Sequence, residues 1–259
     1  MLIKKLNFTC DTTKKVKLCK QSLLKVYKSF SPQKCDAIVV VGGDGFMLQT
    51  LKMYQKLKKP FYGMNKGSFG FLMNKYKKKN LLNRINKSKK VNISPLEMIA
   101  RTTAGNKKKA LAVNEVSLFR QSRQTAYLQI KQGKKNIIKK LVCDGILVST
   151  PAGSTAYNLS VHGPILSLDS NKLAVTPISP FRPRRRKSIL VSNTSFIRIK
   201  NLDTKKRPVS AVADNFEVRN IANVGIEMNK KRIFTLLYDK GNSLSKKIKI
   251  EQLKKQLIS

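Results

Sequence analysis

The run Gly42-Gly43-Asp44-Gly45 places a carboxylate inside a glycine turn directly after the apolar stretch 37–41. Glycines at such a turn let backbone N–H groups approach a phosphate closely, and a helix beginning at Phe46 would point its positive end toward the same spot. An acid there needs a task. It can accept a proton from an attacking hydroxyl or hold a magnesium ion against phosphates, and the plainer alternative is that it caps the helix. A second stretch, Asp144-Gly145-Ile146-Leu147-Val148-Ser149-Thr150-Pro151-Ala152-Gly153-Ser154-Thr155-Ala156-Tyr157, is followed by Ser160 and Gly163-Pro164. A strand bounded by an acid and a hydroxyl-rich glycine turn offers hydrogen-bond donors to a ribose or phosphate. The aromatic just inside the next helix offers a flat face to a base. An ordinary N-capped connection from strand to helix is the alternative.

Other phosphate-binding solutions are missing, since the sequence has no G-x-x-x-x-G-K-[ST] loop, no G-x-G-x-x-G and no D-F-G. The single histidine, His162, supplies no H-R-D loop, and the cysteines Cys10, Cys19, Cys35 and Cys143 form no C-x-x-C pair. A zinc site is therefore not expected, and the thiols read as inert groups in a reducing compartment.

These residues must be positioned by surrounding elements. A short strand is expected over 2–8, and Val16, Cys19, Leu23, Tyr27 and Phe30 fall at three- and four-residue steps, which predicts an amphipathic helix over 14–30. The run 37–41 reads as a strand buried on both faces, hence a parallel, helix-covered sheet. A helix over 46–57, closed by Pro60, leads to a strand at 61–64 that empties into Asn65-Lys66-Gly67-Ser68-Phe69-Gly70. That order begins a doubly wound, Rossmann-like α/β domain. From Val91 onward the helical period gives way to short β-rich runs at 96–102, 111–119, 127–131, 145–149, 189–191, 196–199 and 232–237. The expected organisation is an α/β phosphate-donor domain over 1–92, a mostly β, sandwich-like domain over 93–240, and a C-terminal amphipathic helix or tail over 241–259.

The 54 Lys and Arg against 13 Asp and Glu give a net charge of +41, and such a surface attracts phosphate-bearing partners of every kind. The lysines are spread along the whole chain, as in Lys77-Lys78-Lys79, Lys107-Lys108-Lys109 and Lys134-Lys135, mostly beside Asn or Ile. That pattern fits codon drift in an A+T-rich genome and solvated faces, so nucleic acid is expected to bind only non-specifically. No apolar run approaches the roughly 18 residues that span a bilayer, and a cytoplasmic protein without a membrane partner is expected.

In the order and spacing of Gly42-Gly43-Asp44-Gly45, Asn65-x-Gly67-x-x-Gly70-Phe71-Leu72, Asn114-Glu115 and the 144–157 stretch, the sequence resembles the bacterial NAD kinase family over roughly residues 35–240. The resemblance implies a fold of an α/β domain plus a β-sandwich. It implies transfer of a terminal phosphoryl group, from ATP or inorganic polyphosphate, to the 2'-hydroxyl of the adenosine ribose of NAD, giving NADP. A divalent cation, Mg, accompanies ATP, and no side chain is assigned as its ligand. By position, Asp44 would be the proton acceptor, and Gly45 and Phe71 would lie close to the NAD adenosine. Asn114 and Glu115 would contact NAD from the second domain, and Asp144, Thr155, Ala156, Tyr157 and Ser160 would complete the dinucleotide pocket. Assembly as a dimer or tetramer is implied as well.

The sequence departs from the commonest family pattern at His162, where glycine is usual, at Asp214-Asn215, where Asp-Gly is commoner, and at Ala152, often Thr. The run Arg182-Pro183-Arg184-Arg185-Arg186-Lys187 resembles a basic loop of some members and either attracts ATP or solvates the surface. Two rivals remain. A lipid kinase of the diacylglycerol or sphingosine type shares the glycine turn with its aspartate but lacks the stretch from Ser149-Thr150-Pro151 to Tyr157. A basic nucleic-acid-binding module could use Gly67-Ser68-Phe69-Gly70 as a backbone clamp, but that clamp needs helices on both sides.

Overall fold

The computed structural model describes residues 2–67, 70–241, 245–250 and 253, which gather into two units, Met1–Ile93 with Arg232–Ser259, and Ser94–Lys231. The first unit opens with β1 (Leu6–Cys10), α1 (Lys14–Leu24), β2 (Ala37–Gly42), α2 (Asp44–Met53), a 3-10 turn (Gln55–Leu57) and β3 (Phe61–Asn65). β4 (Asn74–Lys75), α3 (Leu81–Asn86) and β5 (Lys89–Ile93) follow. β1, β2 and β3 pair in parallel, with Ile38 beside Phe61 and Gly42 beside Asn65. Every residue of β2 is buried. Val39 and Val41 join a cluster with Val16 and Leu23 of α1 and with Leu81 and Ile85 of α3, so by strand alternation Ile38 and Val40 face the opposite side. Each such buried aliphatic side chain contributes about 1.5–3 kcal/mol, which makes β2 a rigid platform for the turn at its end.

Two sequence expectations shift here. The first strand lies at Leu6–Cys10 rather than 2–8, and α1 stops at Leu24 rather than at residue 30. The Lys25 and Tyr27 amides still donate to the Gln21 and Leu23 carbonyls, but beyond them the chain is held by tertiary partners. The Tyr27 hydroxyl donates to the Lys78 carbonyl at 2.9 Å and accepts from the Leu81 amide, while the Asn7 side chain donates to the Phe30 carbonyl at 2.7 Å.

The second unit contains β6 (Leu96–Thr102), β7 (Lys107–Ala112), β8 (Glu115–Arg120), β9 (Ala126–Gln132), β10 (Lys135–Cys143), β11 (Gly145–Ser149) and the single-turn α4 (Tyr157–Ser160). It continues with β12 (Lys172–Ile178), β13 (Ile189–Ser192), β14 (Ile197–Asn201), β15 (Val209–Ala213), β16 (Phe216–Val218) and β17 (Ile221–Met228). Among the described residues these form two antiparallel sheets, ordered β10-β9-β14-β17-β6-β7 and β13-β12-β11-β8-β15-β16. Alternate residues of both sheets, including Met98, Ile130, Ile199 and Val224 from one and Leu118, Ile146, Val175 and Ala211 from the other, enter one core. This is a β-sandwich. The expected strand 111–119 is broken at Val113 and Asn114, whose amides leave the ladder for the Asp214 carboxylate.

The chain then returns to the first unit as β18 (Phe234–Tyr238), lying between β3, to which it is parallel, and β5, to which it is antiparallel. The full order of that sheet is β1-β2-β3-β18-β5, with β4 on β3. Residues 232–240, which the sequence pattern assigned to the β domain, thus belong to the α/β sheet. Side chains far apart in sequence secure them: Asn74 donates to the Leu237 carbonyl and accepts from the Asp239 amide, both at 2.9 Å, and Asp239 accepts from Tyr62 and pairs with Arg84. Residues 245–250 are helical, and most of the rest of the helix or tail expected over 241–259 lies outside the described residues. No helix among the described residues is long and apolar enough to cross a membrane.

Candidate active site

At the end of β2 the chain turns sharply, with Gly43 as the N-cap of α2 and Asp44 as its first residue. The two glycine motifs of the first unit pack on each other here. Lys66 N–H donates to the Gly42 carbonyl at 2.8 Å, and a Cβ at Gly67 would stand 3.2 Å from the Gly43 Cα. The Asn65 side chain accepts from the Gly67 amide at 2.9 Å, and a Cβ at Gly70 would stand 2.9 Å from the Asn65 Cγ. The spacing Asn65-x-Gly67-x-x-Gly70 is therefore what a chain needs to wrap closely round one amide side chain. Ser68 and Phe69 lie outside the described residues.

Asp44 does not cap its own helix, since α2 has no side-chain cap bond. Its carboxylate reaches instead to the next turn, accepting from Phe71 N–H at 2.7 Å and from Leu72 N–H at 3.0 Å. Burial raises the carboxyl above the ordinary aspartate range, while the two amides and the nearby Lys247 ammonium pull it back. Gly45 is exposed, with no atom within 4 Å of where a Cβ would be, so the turn is open beside the carboxylate. Behind Phe71, its carbonyl accepts from the Tyr238 hydroxyl and from Lys247 Nζ, both at 3.1 Å.

In the second unit the 144–157 stretch is built around β8 and β11, which pair Glu115 with Ser149 at one end and Phe119 with Gly145 at the other. The Thr150 hydroxyl donates to the Val113 carbonyl at 2.7 Å and accepts from the Gly153 amide at 3.0 Å, and Thr150 N–H donates to the Asn114 carbonyl. Gly153 packs so tightly on Asn114 that a Cβ would fall 2.2 Å from its carbonyl oxygen. Asn158 is fully buried, donating to the Ser154 and Pro164 carbonyls and accepting from the Thr176 hydroxyl. A Cβ at Gly163 would fall on that amide, 2.0 Å from its Oδ1.

The groups so placed are chemically distinctive. Tyr157 is 38% exposed, with its ring 5.8 Å from that of Phe119. Burial first, then the Glu115 and Asp144 carboxylates, raise its phenol, so it lies within electrostatic reach of both acids. Asp144 pairs with Arg120 Nε at 2.6 Å. Glu115 is the outlier: burial, then the neighbouring Asp214, push its carboxyl up to about 8, and its Oε2 is buried without a hydrogen-bond partner among the described residues. A buried orphan oxygen is costly and is retained where something else is to meet it.

Residues 1–89 match the ATP-NAD kinase N-terminal domain, and residues 113–233 match the ATP-NAD kinase C-terminal domain. The chain belongs to the NAD kinase family. Its relatives include the NAD kinase of Caulobacter vibrioides, 46% identical over 250 residues covering 96% of each chain. The NAD kinase of Zymomonas mobilis is 44% identical over 256 residues, covering 98% of this chain and 99% of that one. Two solved structures share the fold: a yeast NADH kinase complexed with NADH and an Archaeoglobus fulgidus NAD kinase in complex with ATP. The first has a TM-score of 0.79 at 19% identity, covering 93% of this chain and 85% of that one. The second has a TM-score of 0.72 at 24% identity, covering 92% and 95%.

Within this NAD kinase fold, Asp44, Gly45 and Phe71 meet in the first unit. In the second, Asn114 precedes β8 and Glu115 opens it, while Thr155, Ala156 and Tyr157 follow β11 into α4; Thr155 is buried and Ala156 is the N-cap of α4. Asp144 stands at the opposite end of β11, and Ser160 is exposed at the last position of α4. The basic run 182–187 is exposed, and Arg182 stacks on Phe181 at 4.4 Å. Sequence reasoning missed Lys247, the brace of Asp214 on Val113 and Asn114, and the buried Asn158. The only signal for the last was an amide enclosed between the 153–155 turn and Gly163.

Two of the three departures from family pattern have local explanations. His162 adopts a left-handed φ of 61°, which is why glycine is usual there, and histidine tolerates that region better than most residues. In the β15–β16 turn the left-handed residue is Asp214, at φ 53°, so asparagine in place of glycine at 215 carries no such strain.

Proposed function

We propose that the chain transfers the terminal phosphoryl group of ATP to the 2'-hydroxyl of the adenosine ribose of NAD, giving NADP, with Asp44 as the proton acceptor. The observation that carries the assignment is the Asp44 carboxylate. It is partly buried at the start of α2 beside exposed Gly45 and held by the Phe71 and Leu72 amides rather than by its own helix. A base held this way keeps one geometry, and a carboxyl raised by burial is a better proton acceptor than a solvated aspartate. Phosphoryl transfer itself depends mainly on positioning and charge neutralisation, to which the glycine turn and the positive end of α2 contribute.

In this reading the α/β unit handles the phosphate donor, with Gly45 and Phe71 near the adenosine, and the β unit holds the dinucleotide. Tyr157 offers a face to a base, while Asn114, Asp144, Thr155, Ala156 and Ser160 supply polar and backbone contacts. Glu115, protonated up to about pH 8, can both donate to and accept from a ribose diol through its orphan oxygen. The divalent cation travels with ATP. The phosphate oxygens of ATP are ligands of the kind a magnesium ion takes.

The reading extends to assembly and location. We expect a dimer or tetramer, supported by exposed Leu190 on edge strand β13 and exposed Phe216 on edge strand β16, both of which need cover. Four free thiols, two of them buried, support a reducing cytoplasm. The decisive experiment incubates the protein with NAD and MgATP and detects product with an NADP-specific dehydrogenase, comparing wild type with Asp44→Asn. Loss of most turnover with NAD binding retained is expected; wild-type turnover in the variant would refute the assignment.

A further inference from the structure

The Asp44 amide contacts have a counterpart on the other side of the same peptide groups. Phe71 N–H, which donates to Asp44, shares its peptide unit with the Gly70 carbonyl, and Leu72 N–H shares its unit with the Phe71 carbonyl. Lys247 Nζ donates to both of those carbonyls and to the Met73 carbonyl. In a trans peptide the C=O and N–H point in opposite directions. Two consecutive peptide dipoles therefore run from the ammonium to the carboxylate, and all three ammonium protons are used. The Tyr238 hydroxyl adds a second donor to the Phe71 carbonyl.

We propose that Lys247 is a positioning residue for Asp44: by clamping the 70–71 and 71–72 peptide units from behind, it fixes the orientation of the amides that hold the carboxylate. The inference rests on Asp44 being the proton acceptor. An ammonium engaging carbonyls polarises them, which strengthens the amide donors of the same peptide groups. It also counters the burial that favours the protonated acid. Burial lowers the Lys247 ammonium and Asp44 raises it again, as expected of opposite charges felt through the loop. Sequence spacing conceals the relationship, because 203 residues separate the partners by number.

Removal of the clamp makes a distinct prediction. Lys247→Met keeps the length of the stem and drops charge and donors. It should lower kcat about tenfold to a hundredfold, the scale of a small misplacement at a reacting centre, with KM for NAD and for MgATP nearly unchanged. The acidic limb of the kcat profile should move to higher pH, because a cation that lowers the Asp44 carboxyl has gone. Lys247→Arg, which retains charge and several donors, should recover most of the loss. Adding Lys247→Met to Asp44→Asn should cost little more than Asp44→Asn alone.

Wild-type kcat and an unmoved acidic limb in folded Lys247→Met would overturn the proposal. If that variant does not fold, Lys247→Gln, which is one atom shorter, loses the charge and keeps two donors, carries the test with the same outcomes. Failure of both to fold would assign Lys247 a structural role and also overturn it. The underlying assignment is checked separately: full turnover in Asp44→Asn sinks the proton-acceptor reading, whereas turnover lost in Asp44→Asn but unaffected in Lys247→Met sinks only the positioning role.

Discussion

Asp214 and Glu115 are carboxylic acids placed side by side, yet only one of them is satisfied. The Asp214 carboxylate accepts from the Val113 and Asn114 amides, both at 2.9 Å, and its own amide donates to the Glu115 carbonyl at 3.2 Å. Those bonds bring the hairpin turn after β15 against the start of β8, and they fix a negative group beside the Glu115 carboxyl, whose Oε2 is buried without a hydrogen-bond partner among the described residues. Burial and this neighbour together hold the Glu115 proton up to about pH 8.

Stability should therefore depend on pH through Glu115. With a folded value of about 8 against an ordinary 4.5, the contribution is complete below pH 4.5 and is lost as pH rises toward 8. Glu115→Gln, which never ionises, should melt above the wild type at pH 9, with the gap narrowing toward pH 5. Melting curves across that range check it, and a gap constant with pH would contradict the assignment.

Turnover should show an acidic limb set by Asp44. A base acts unprotonated, and burial lifts this carboxyl above the ordinary 3.8, so kcat should fall as pH drops through a value higher than that. Asp44→Asn retains one oxygen for the two amides and should lose about 10² to 10⁴ in kcat. The kcat profile from pH 4 to 9 is the measurement.

Removing the aromatic face should weaken dinucleotide binding. Base stacking on an aromatic side chain is worth about 1–3 kcal/mol by alanine substitution, so Tyr157→Ala should raise KM for NAD several-fold to a hundredfold, with KM for ATP little changed. Asn114→Ala should act in the same direction. Unchanged NAD titrations for both variants would show that the dinucleotide is held elsewhere.

At Gly153 the constraint is steric rather than conformational. An added Cβ would lie 2.2–2.5 Å from backbone atoms of Asn114, and backbone cannot swing aside as a side-chain tip can. Gly153→Ala should cost about 1–3 kcal/mol, as overpacking does, and should raise KM for NAD by displacing Asn114. Thermal melts and NAD titration decide it.

His162→Gly should leave turnover intact and raise stability by no more than about 1 kcal/mol, because the relief of a left-handed φ of 61° is offset by the greater chain entropy of unfolded glycine. A substantial loss of kcat would give His162 a chemical role that its exposed position does not suggest.

Local sequence carried much of this protein. The apolar run 37–41 reads as a strand covered on both sides, and a glycine turn after such a strand stands where open α/β sheets meet ligands. The residues themselves single out Asp44 and Tyr157, and the resemblance of the motifs from Gly42 to Tyr157 to the NAD kinase family adds Glu115. Their glycines mark tight turns and close backbone approaches, and clustered glycines leave a readable spacing even where the partner, as Asn114 is for Gly153, lies far along the chain. What the sequence could not show were pairings decided by the return of the chain. The stretch 232–240 has a strand pattern that fits either sheet, and only the bonds of Asn74 and Asp239 with their neighbours place it beside β3. In the same way, Lys247 is one of many lysines in the sequence. Nothing in its spacing separates it from those on solvated faces, because its role comes from three carbonyls presented by a loop folded far from it along the chain.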